Sequence, residues 1–211
     1  MNIEILSYVK IMLKGYIFFS LLYCLLNRSN NKLLISILVL ALFNIIVSDV
    51  FLFYHINIAF NNNIYIILSF FLWLLLLKES TGFQKANYFI LVFVLFSLFN
   101  LFFYELYNKL NTKTFVCGTF IYLLLYIYVC FVKLKQEKLD FFMNNDFILL
   151  SSPILFFVGF SLMFGFKNKI LNDVVLFYNI KLFDIISNVV NFTFYTLINI
   201  YNYKAAKLRN V

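Results

Sequence analysis

Residues 180–203 read IKLFDIISNVVNFTFYTLINIYNY, a long apolar segment that carries polar side chains at a regular spacing. Successive polar residues are 4, 3, 4, 4 and 3 positions apart, and they are Asp184, Asn188, Asn191, Tyr195, Asn199 and Asn202. This spacing places them along one face of an α-helix. Because such a face is costly to expose to lipid, we expect it to turn inward, onto other helices or a hydrated cavity.

The composition of the whole chain indicates an integral membrane protein. Of the 211 residues, 64% are hydrophobic and only 12% are charged. A soluble domain carries about 25% charged residues, roughly twice this fraction. The net charge of +8 comes from basic residues scattered between apolar runs. That scatter is typical of loops that set membrane topology and not of a nucleic-acid surface, so the expected partner is the lipid bilayer.

Seven apolar runs approach or exceed the roughly 20 residues that a transmembrane helix needs. They cover residues 3–26, 33–53, 60–77, 86–107, 115–132, 147–166 and 180–203. The separators are short and polar, such as KLKQEKLD at 133–140, and no Gly/Ser or Pro linker interrupts the chain. The polar NNN at 61–63 separates the second run from the apolar part of the third, 64–77, which we expect to extend upstream to residue 60. The sequence therefore predicts one all-α domain over residues 1–211, a polytopic membrane protein with a seven-helix transmembrane bundle. The first run lacks the features of a cleaved signal peptide, so we expect it to remain in the protein.

The distribution of basic residues predicts the orientation. With the N-terminus outside, ten of the 17 basic residues fall on the inner side, and the outer 54–63 segment carries none. Basic residues favour the cytoplasmic side, so we expect a multi-pass protein of the cell inner membrane with a cytoplasmic C-terminus. The basic inner loops, above all 133–140, are then the surface for a membrane or cytoplasmic signalling partner.

Several ionisable side chains gather in the outer half of the expected bundle. Lys14 lies roughly 15 Å into the first run, at 1.5 Å per residue, and should snorkel outward or pair with Asp49 or Asp184. The candidate ligand-binding residues are Lys14, Asp49, Glu105, Asp184, Asn188 and Asn191. A structural ion pair and helix-packing hydrogen bonds are the competing explanation for these residues. His55 is the only histidine, and the sequence indicates no metal site and no cofactor.

Polar residues in two other runs add to this picture. In the fourth run and just beyond it, Ser97, Asn100, Tyr104 and Asn108 are spaced as neighbours on one helical face. In the sixth run, Pro153 follows Ser151 and Ser152. Proline removes a backbone donor, so we expect a bend there, with a serine hydroxyl or a water satisfying the freed carbonyl.

Three stretches carry a resemblance to a known group of proteins. They are NNNIYIILSFFLWLLLL at 61–77, DFILLSSPILFFVGFSLMFGF at 146–166 and NVVNFTFYTLINIYNYKA at 188–205. In these stretches the chain resembles uncharacterised bacterial seven-span membrane proteins, some of whose genes lie beside two-component signalling genes. The resemblance implies a membrane sensor or a partner in signalling.

A second resemblance rests on Lys14–Gly15 and, about 35 residues later, Ser48–Asp49. This pattern is similar to the Lys-Pro and Gly-Asp motifs of the lysoplasmalogenase-like hydrolases. That resemblance implies an acid–base role for Asp49, with Asp184 as a second carboxylate.

The leading interpretation is non-enzymatic: a sensory or regulatory membrane component with an outward-facing polar pocket between the first, second, fourth and last spans. A lipid hydrolase is the alternative, and a small-solute transporter is the third. The scarcity of Gly and Pro and the lack of an internal repeat disfavour the transporter.

Overall fold

A computed structural model describes residues 2–26, 31–105, 107–166 and 181–209; for residues 2–10, 165, 166, 208 and 209 it describes the backbone alone. These residues form eight α-helices and one π-helical turn. The helices are α1 (Asn2–Leu26), α2 (Lys32–Phe53), α3 (Ala59–Thr81), α4 (Ala86–Phe99), α5 (Thr112–Lys135), α6 (Asp140–Met143), α7 (Asn145–Phe166) and α8 (Leu182–Arg209). The π-helical turn, Asn100–Tyr104, continues α4.

Each of the seven apolar runs coincides with a helix, which confirms the all-α prediction for the described part of the chain. Within the described ranges, five helical segments are long and apolar enough to cross a membrane: Lys32–Phe53, Ala59–Thr81, Ala86–Tyr104, Thr112–Lys135 and Asn145–Phe164. The apolar part of α1, Ile11–Leu26, is shorter. The last helix, α8, is long and continuous, but its polar stripe interrupts the apolar character of its sequence. The short helix α6 was not expected from the sequence.

The outer surface of the bundle is rich in large apolar side chains. Phe43, Leu95 and Phe120 are each about 60% exposed, on three different helices. Soluble monomers rarely expose contiguous apolar patches of this kind. A surface like this is suited to lipid, and it identifies the chain as a membrane-embedded helical protein.

The helices form a closed arrangement with α3 at its centre. Helix α3 packs against α2, α4, α5 and α7, whereas α1 lies between α2 and α8, and α8 packs along α7. Because α3 has neighbours on most sides, its bulky side chains fill the core. Phe70, Trp73 and Leu74 are almost fully buried, and the Trp73 indole contacts the ring of Phe194 on α8, with 5.8 Å between ring centroids.

Two ends of the bundle can be distinguished. The upper end carries the 54–58 and 105–111 connections and the end of α7. The lower end carries the 82–85 and 136–144 segments and the C-terminal end of α8. At the lower end Gly82 closes α3 in a left-handed conformation, with φ of 72°, and its N–H donates to the Lys78 carbonyl.

Two glycines allow helices to approach closely. A Cβ atom on Gly118 of α5 would lie 2.8 Å from the ring of Phe70, and one on Gly159 of α7 would lie 2.9 Å from Val190 of α8. Small residues at such crossings permit dense packing between helices in membranes. The core therefore depends on these two positions remaining small.

Helix α7 contains Pro153 and remains helical through it. Proline has no N–H, so the carbonyl four residues earlier, that of Leu149, loses its usual backbone donor. The Ser152 hydroxyl donates to this carbonyl at 2.8 Å, and both residues are fully buried. The expectation that a serine hydroxyl satisfies the freed carbonyl is confirmed.

Candidate functional site

The polar stripe of α8 faces the interior of the bundle. None of its six residues is exposed, and Tyr195 and Asn202 are 4% and 3% exposed. On the opposite face Val189 is 58% exposed and Tyr203 is 62% exposed. The prediction that this face turns inward is confirmed.

The contacts of the stripe are partly local. The Asn191 side-chain amide donates to the Ser187 carbonyl of its own helix at 2.8 Å. Asn199 lines a mostly apolar groove of about 430 Å³ between α1 and α8. The Nδ2 atom of Asn202 finds no hydrogen-bond partner among the described residues. Asp184 and Asn188 are half-buried in the first turns of the helix.

The half-buried charge of Lys14 on α1 pairs with a carboxylate on α2. The Lys14 ammonium forms an ion pair with the Asp49 carboxylate, so of the two partners that the sequence offered, Asp49 is the one in contact. The Lys14 and Asp49 side chains are 39% and 51% exposed, so the pair lies on the flank of the bundle between the two helices. The side chain of Lys10 lies outside the described residues.

Glu105 takes part in a different cluster, at the start of α5. Its carboxylate accepts hydrogen bonds from Asn100 Nδ2 at 2.7 Å, from Thr112 Oγ1 at 3.0 Å and from the Lys113 N–H at 3.1 Å. A carboxylate at this position is favoured because it meets the unpaired N–H groups and the positive end of a helix. Glu105 is therefore engaged in capping α5.

The π-helical turn explains why the polar face of the fourth run is not continuous. In this turn the Glu105 N–H bonds to the carbonyl of Asn100, five residues earlier, at 3.0 Å. One extra residue per turn rotates the following side chains relative to an α-helix. Ser97 and Asn100 are consequently buried, whereas Tyr104 is 63% exposed and its ring lies 3.7 Å from the Lys113 ammonium.

A cluster of amides joins α2 to α3 near the upper end. Asn61 Nδ2 donates to Asn44 Oδ1 at 2.8 Å and to Ser48 Oγ at 3.2 Å. The Ser48 hydroxyl in turn donates to Asn62 Oδ1 at 3.4 Å. The sequence treated the NNN triplet as a separator between spans, but these residues lie in the first turns of α3. In the sequence, the signal for this cluster is that the polar triplet runs directly into an apolar helical segment.

The third asparagine of the triplet anchors the connection before α5. Asn63 is fully buried, and its Nδ2 donates to the Lys109 carbonyl at 2.7 Å. Its Oδ1 accepts from the Asn111 N–H at 2.8 Å. Nearby, Asn57 Nδ2 donates to the Asn108 carbonyl at 3.0 Å. These bonds fix the upper connections, including Leu110, over the interior.

Beneath these connections lies a cavity of about 230 Å³. One part of its wall is polar and consists of Asn44, Asn62, Tyr65 and Ser69. The rest is largely aromatic and includes Phe70, Phe115, Phe156, Phe157, Phe160 and Phe164. The cavity thus lies between α2, α3, α5 and α7, a different set of helices from the one that the sequence indicated.

The residues that the sequence singled out are thus distributed over three places. Lys14 and Asp49 form the pair on the α1–α2 flank, Glu105 caps α5, and the remaining three lie on the inward face of α8. The described lining of the cavity is made of other residues. Within the described ranges, no three His, Cys, Asp or Glu side chains converge into a group able to hold a metal ion.

These features define a class: a membrane-embedded bundle of α-helices with a small, partly open cavity that is polar on one side and aromatic on the other. No protein family, curated protein or solved structure matches the chain.

Proposed function

We propose that this chain is a sensory or regulatory protein of the bacterial inner membrane that responds to a small molecule bound in the cavity. It crosses the bilayer seven times, through α1 to α5, α7 and α8, with its N-terminus outside and its C-terminus in the cytoplasm. The upper end, with the cavity, then faces outward, and the basic lower end faces the cytoplasm.

The observation that supports binding is the cavity itself. Its volume of about 230 Å³ exceeds that of a 150 Å³ engineered cavity that accommodates benzene. Ligand sites are typically apolar hollows with a few polar groups that orient the guest, and the four polar residues on one wall match this pattern. A purely structural core would be filled by side chains.

Helix α7 offers a route from the cavity to the cytoplasmic side. Phe156, Phe157 and Phe160 of the cavity wall lie one to two turns beyond Pro153, and α7 begins at the lower end. There Phe147 contacts Phe141 of α6, with ring centroids 5.8 Å apart. The Lys133 ammonium lies 5.6 Å from the Phe141 ring. A shift of α7 on binding would therefore reach the basic 133–138 segment, where a signalling partner is expected.

A fragment screen tests this proposal. The protein in lipid nanodiscs is screened for thermal stabilisation by small molecules, beside a variant in which Ser69→Leu fills the cavity from its polar wall. The control is Ser36→Leu, an exposed serine of α2 that bonds only to its own helix. We expect binders that are lost in Ser69→Leu and kept in Ser36→Leu, and that change hydrogen exchange over residues 136–147. A screen whose binders all survive the filled cavity would refute the proposal.

The lysoplasmalogenase-like hydrolase is kept as a second candidate, because the two residues that carry that likeness are in contact. Lys14 and Asp49 form an ion pair, which places the proposed acid–base carboxylate beside an ammonium group. Asp184 would supply the second carboxylate. Release of aldehyde from a lysoplasmalogen by the purified protein, abolished by Asp49→Asn, would support this activity; no release would remove it.

A further inference from the structure

The chemistry of the cavity wall specifies what its guest must offer. The Oδ1 atoms of Asn44 and Asn62 both accept hydrogen bonds, from Asn61 and from Ser48. Their NH2 groups donate to no other described residue. Since each amide turns its oxygen toward the cluster, what remains for a guest is a donor. The hydroxyls of Tyr65 and Ser69 on the same wall can either donate or accept, so the two amides are what favour acceptor oxygens in the guest.

The facing wall selects for a flat guest. Phe70 and Phe157 are stacked, with ring centroids 4.1 Å apart, and Phe156 and Phe160 lie 4.7 Å apart at a tilt. Aromatic rings attract other aromatic rings in offset-stacked and edge-to-face arrangements, each worth about 0.5–1.5 kcal/mol beyond area burial. A planar ring gains these contacts more fully than a branched aliphatic molecule of the same volume.

The charge of the guest is limited as well. The described lining contains no acidic or basic side chain. The carboxylate of Asp49 is paired with Lys14, and that of Glu105 caps α5. A charged guest would lose its hydration without gaining a counter-charge, which is strongly unfavourable in a low-dielectric interior.

We propose that the cavity binds a neutral, planar ring compound of roughly nine to eleven non-hydrogen atoms that carries a carbonyl-type acceptor oxygen. The ratio of 230 Å³ to the 150 Å³ that holds the six carbons of benzene gives roughly nine atoms, and the open side of the cavity leaves room for one or two more. The acceptor lies against the Asn44 and Asn62 amides, and the ring lies among the phenylalanines. This inference rests on the proposed function, because it names the class of molecule that the sensor detects.

The experiment compares three probes of similar size. Chromone is planar, neutral and rich in acceptors; naphthalene has the rings alone; cinnamate is planar and aromatic and carries a negative charge. Isothermal titration into protein nanodiscs, with empty nanodiscs subtracted, measures each affinity. We expect chromone to bind about tenfold more tightly than naphthalene, the value of one net hydrogen bond of about 1.4 kcal/mol. The charged probe should bind most weakly.

Variants assign this preference to the amides. Asn62→Leu should remove the advantage of chromone and leave naphthalene binding within twofold, since the wall keeps its volume and loses its donor. If that variant does not fold, Asn44→Leu tests the same wall. Asn199→Leu is the matched control: the same replacement on α8, outside the described cavity lining, and it should change neither affinity.

The outcomes separate the two proposals. Equal affinity for chromone and naphthalene, unchanged by Asn62→Leu, would overturn the acceptor class and leave a binding cavity in place. Tightest binding by cinnamate would overturn the neutral class in the same way. Failure of all three probes to bind would overturn this inference, while cavity-dependent hits from the broader fragment screen would still uphold the proposed function.

Discussion

The carbonyl beside Pro153 gives a quantitative test of the structure. Replacing Ser152 by alanine removes the hydroxyl that donates to the Leu149 carbonyl at 2.8 Å. Because proline supplies no N–H, that carbonyl would be left without a donor, and it is fully buried. Leaving a buried polar group unpaired costs about 1–3 kcal/mol. An ordinary interhelical hydrogen bond in a membrane averages about 0.6 kcal/mol.

Replacing Pro153 by alanine changes the cost of losing the Ser152 hydroxyl. Alanine restores an N–H that can donate to the Leu149 carbonyl as in a regular helix. In that background Ser152→Ala should therefore cost no more than about 0.6 kcal/mol. The double-mutant cycle is expected to give a coupling energy of roughly 0.4–2.4 kcal/mol between the two positions, which is the difference between the two costs.

Reversible unfolding of the four proteins in mixed micelles, followed by circular dichroism, measures the free energies. The matched control is Ser97→Ala on α4. The Ser97 hydroxyl donates to the Phe93 carbonyl at 2.7 Å and is equally buried, but no proline is nearby. Its loss should cost well under 1 kcal/mol, because that carbonyl keeps its backbone donor. Equal costs for Ser152→Ala in both backgrounds would refute the reasoning.

Two further predictions use the same unfolding assay. Lys14→Met or Asp49→Asn alone should lower the free energy of unfolding by about 0.5–3 kcal/mol, between the value of an exposed ion pair and that of a charge at mid-bilayer. The double variant should lose less stability than the two single losses added together. Additive losses would contradict an ion pair between the two residues. Gly118→Ala should lower the free energy of unfolding by about 1–3 kcal/mol, because the added Cβ would lie 2.8 Å from the Phe70 ring. Gly15→Ala is the control, because a Cβ there meets nothing within 4 Å. Equal effects of the two substitutions would contradict the close approach of the helices at Gly118.

Much of the helical layout could be predicted from local sequence. Each apolar run is a helix because a chain in lipid must satisfy its backbone hydrogen bonds internally, and α-helix formation does so within one segment. The inward direction of the α8 stripe could be predicted from the regular spacing of its polar residues alone. The hydroxyl that serves the Leu149 carbonyl followed from the order of Ser152 and Pro153.

The location of the cavity could not be predicted in this way. The location of the cavity depends on which helices are neighbours. The spacing of polar and apolar residues shows which face of a helix turns inward, but it does not show which helix that face contacts. The π-helical turn at Asn100–Tyr104 has no signal in the regular spacing of Ser97, Asn100 and Tyr104, so that spacing was misleading. The NNN triplet looked like a surface segment because its partner, Asn44, lies 17 residues away from Asn61 in the chain.

The single tryptophan of the chain gives the molecule an internal optical label. Trp73 is 1% exposed and contacts Phe194, which in turn lies 4.9 Å from Phe156 of the cavity wall. Its emission therefore reports on the junction of α3 and α8 without any added dye. Entry of water there would shift the emission to longer wavelength, so opening of this junction can be timed by stopped-flow fluorescence in the unmodified protein.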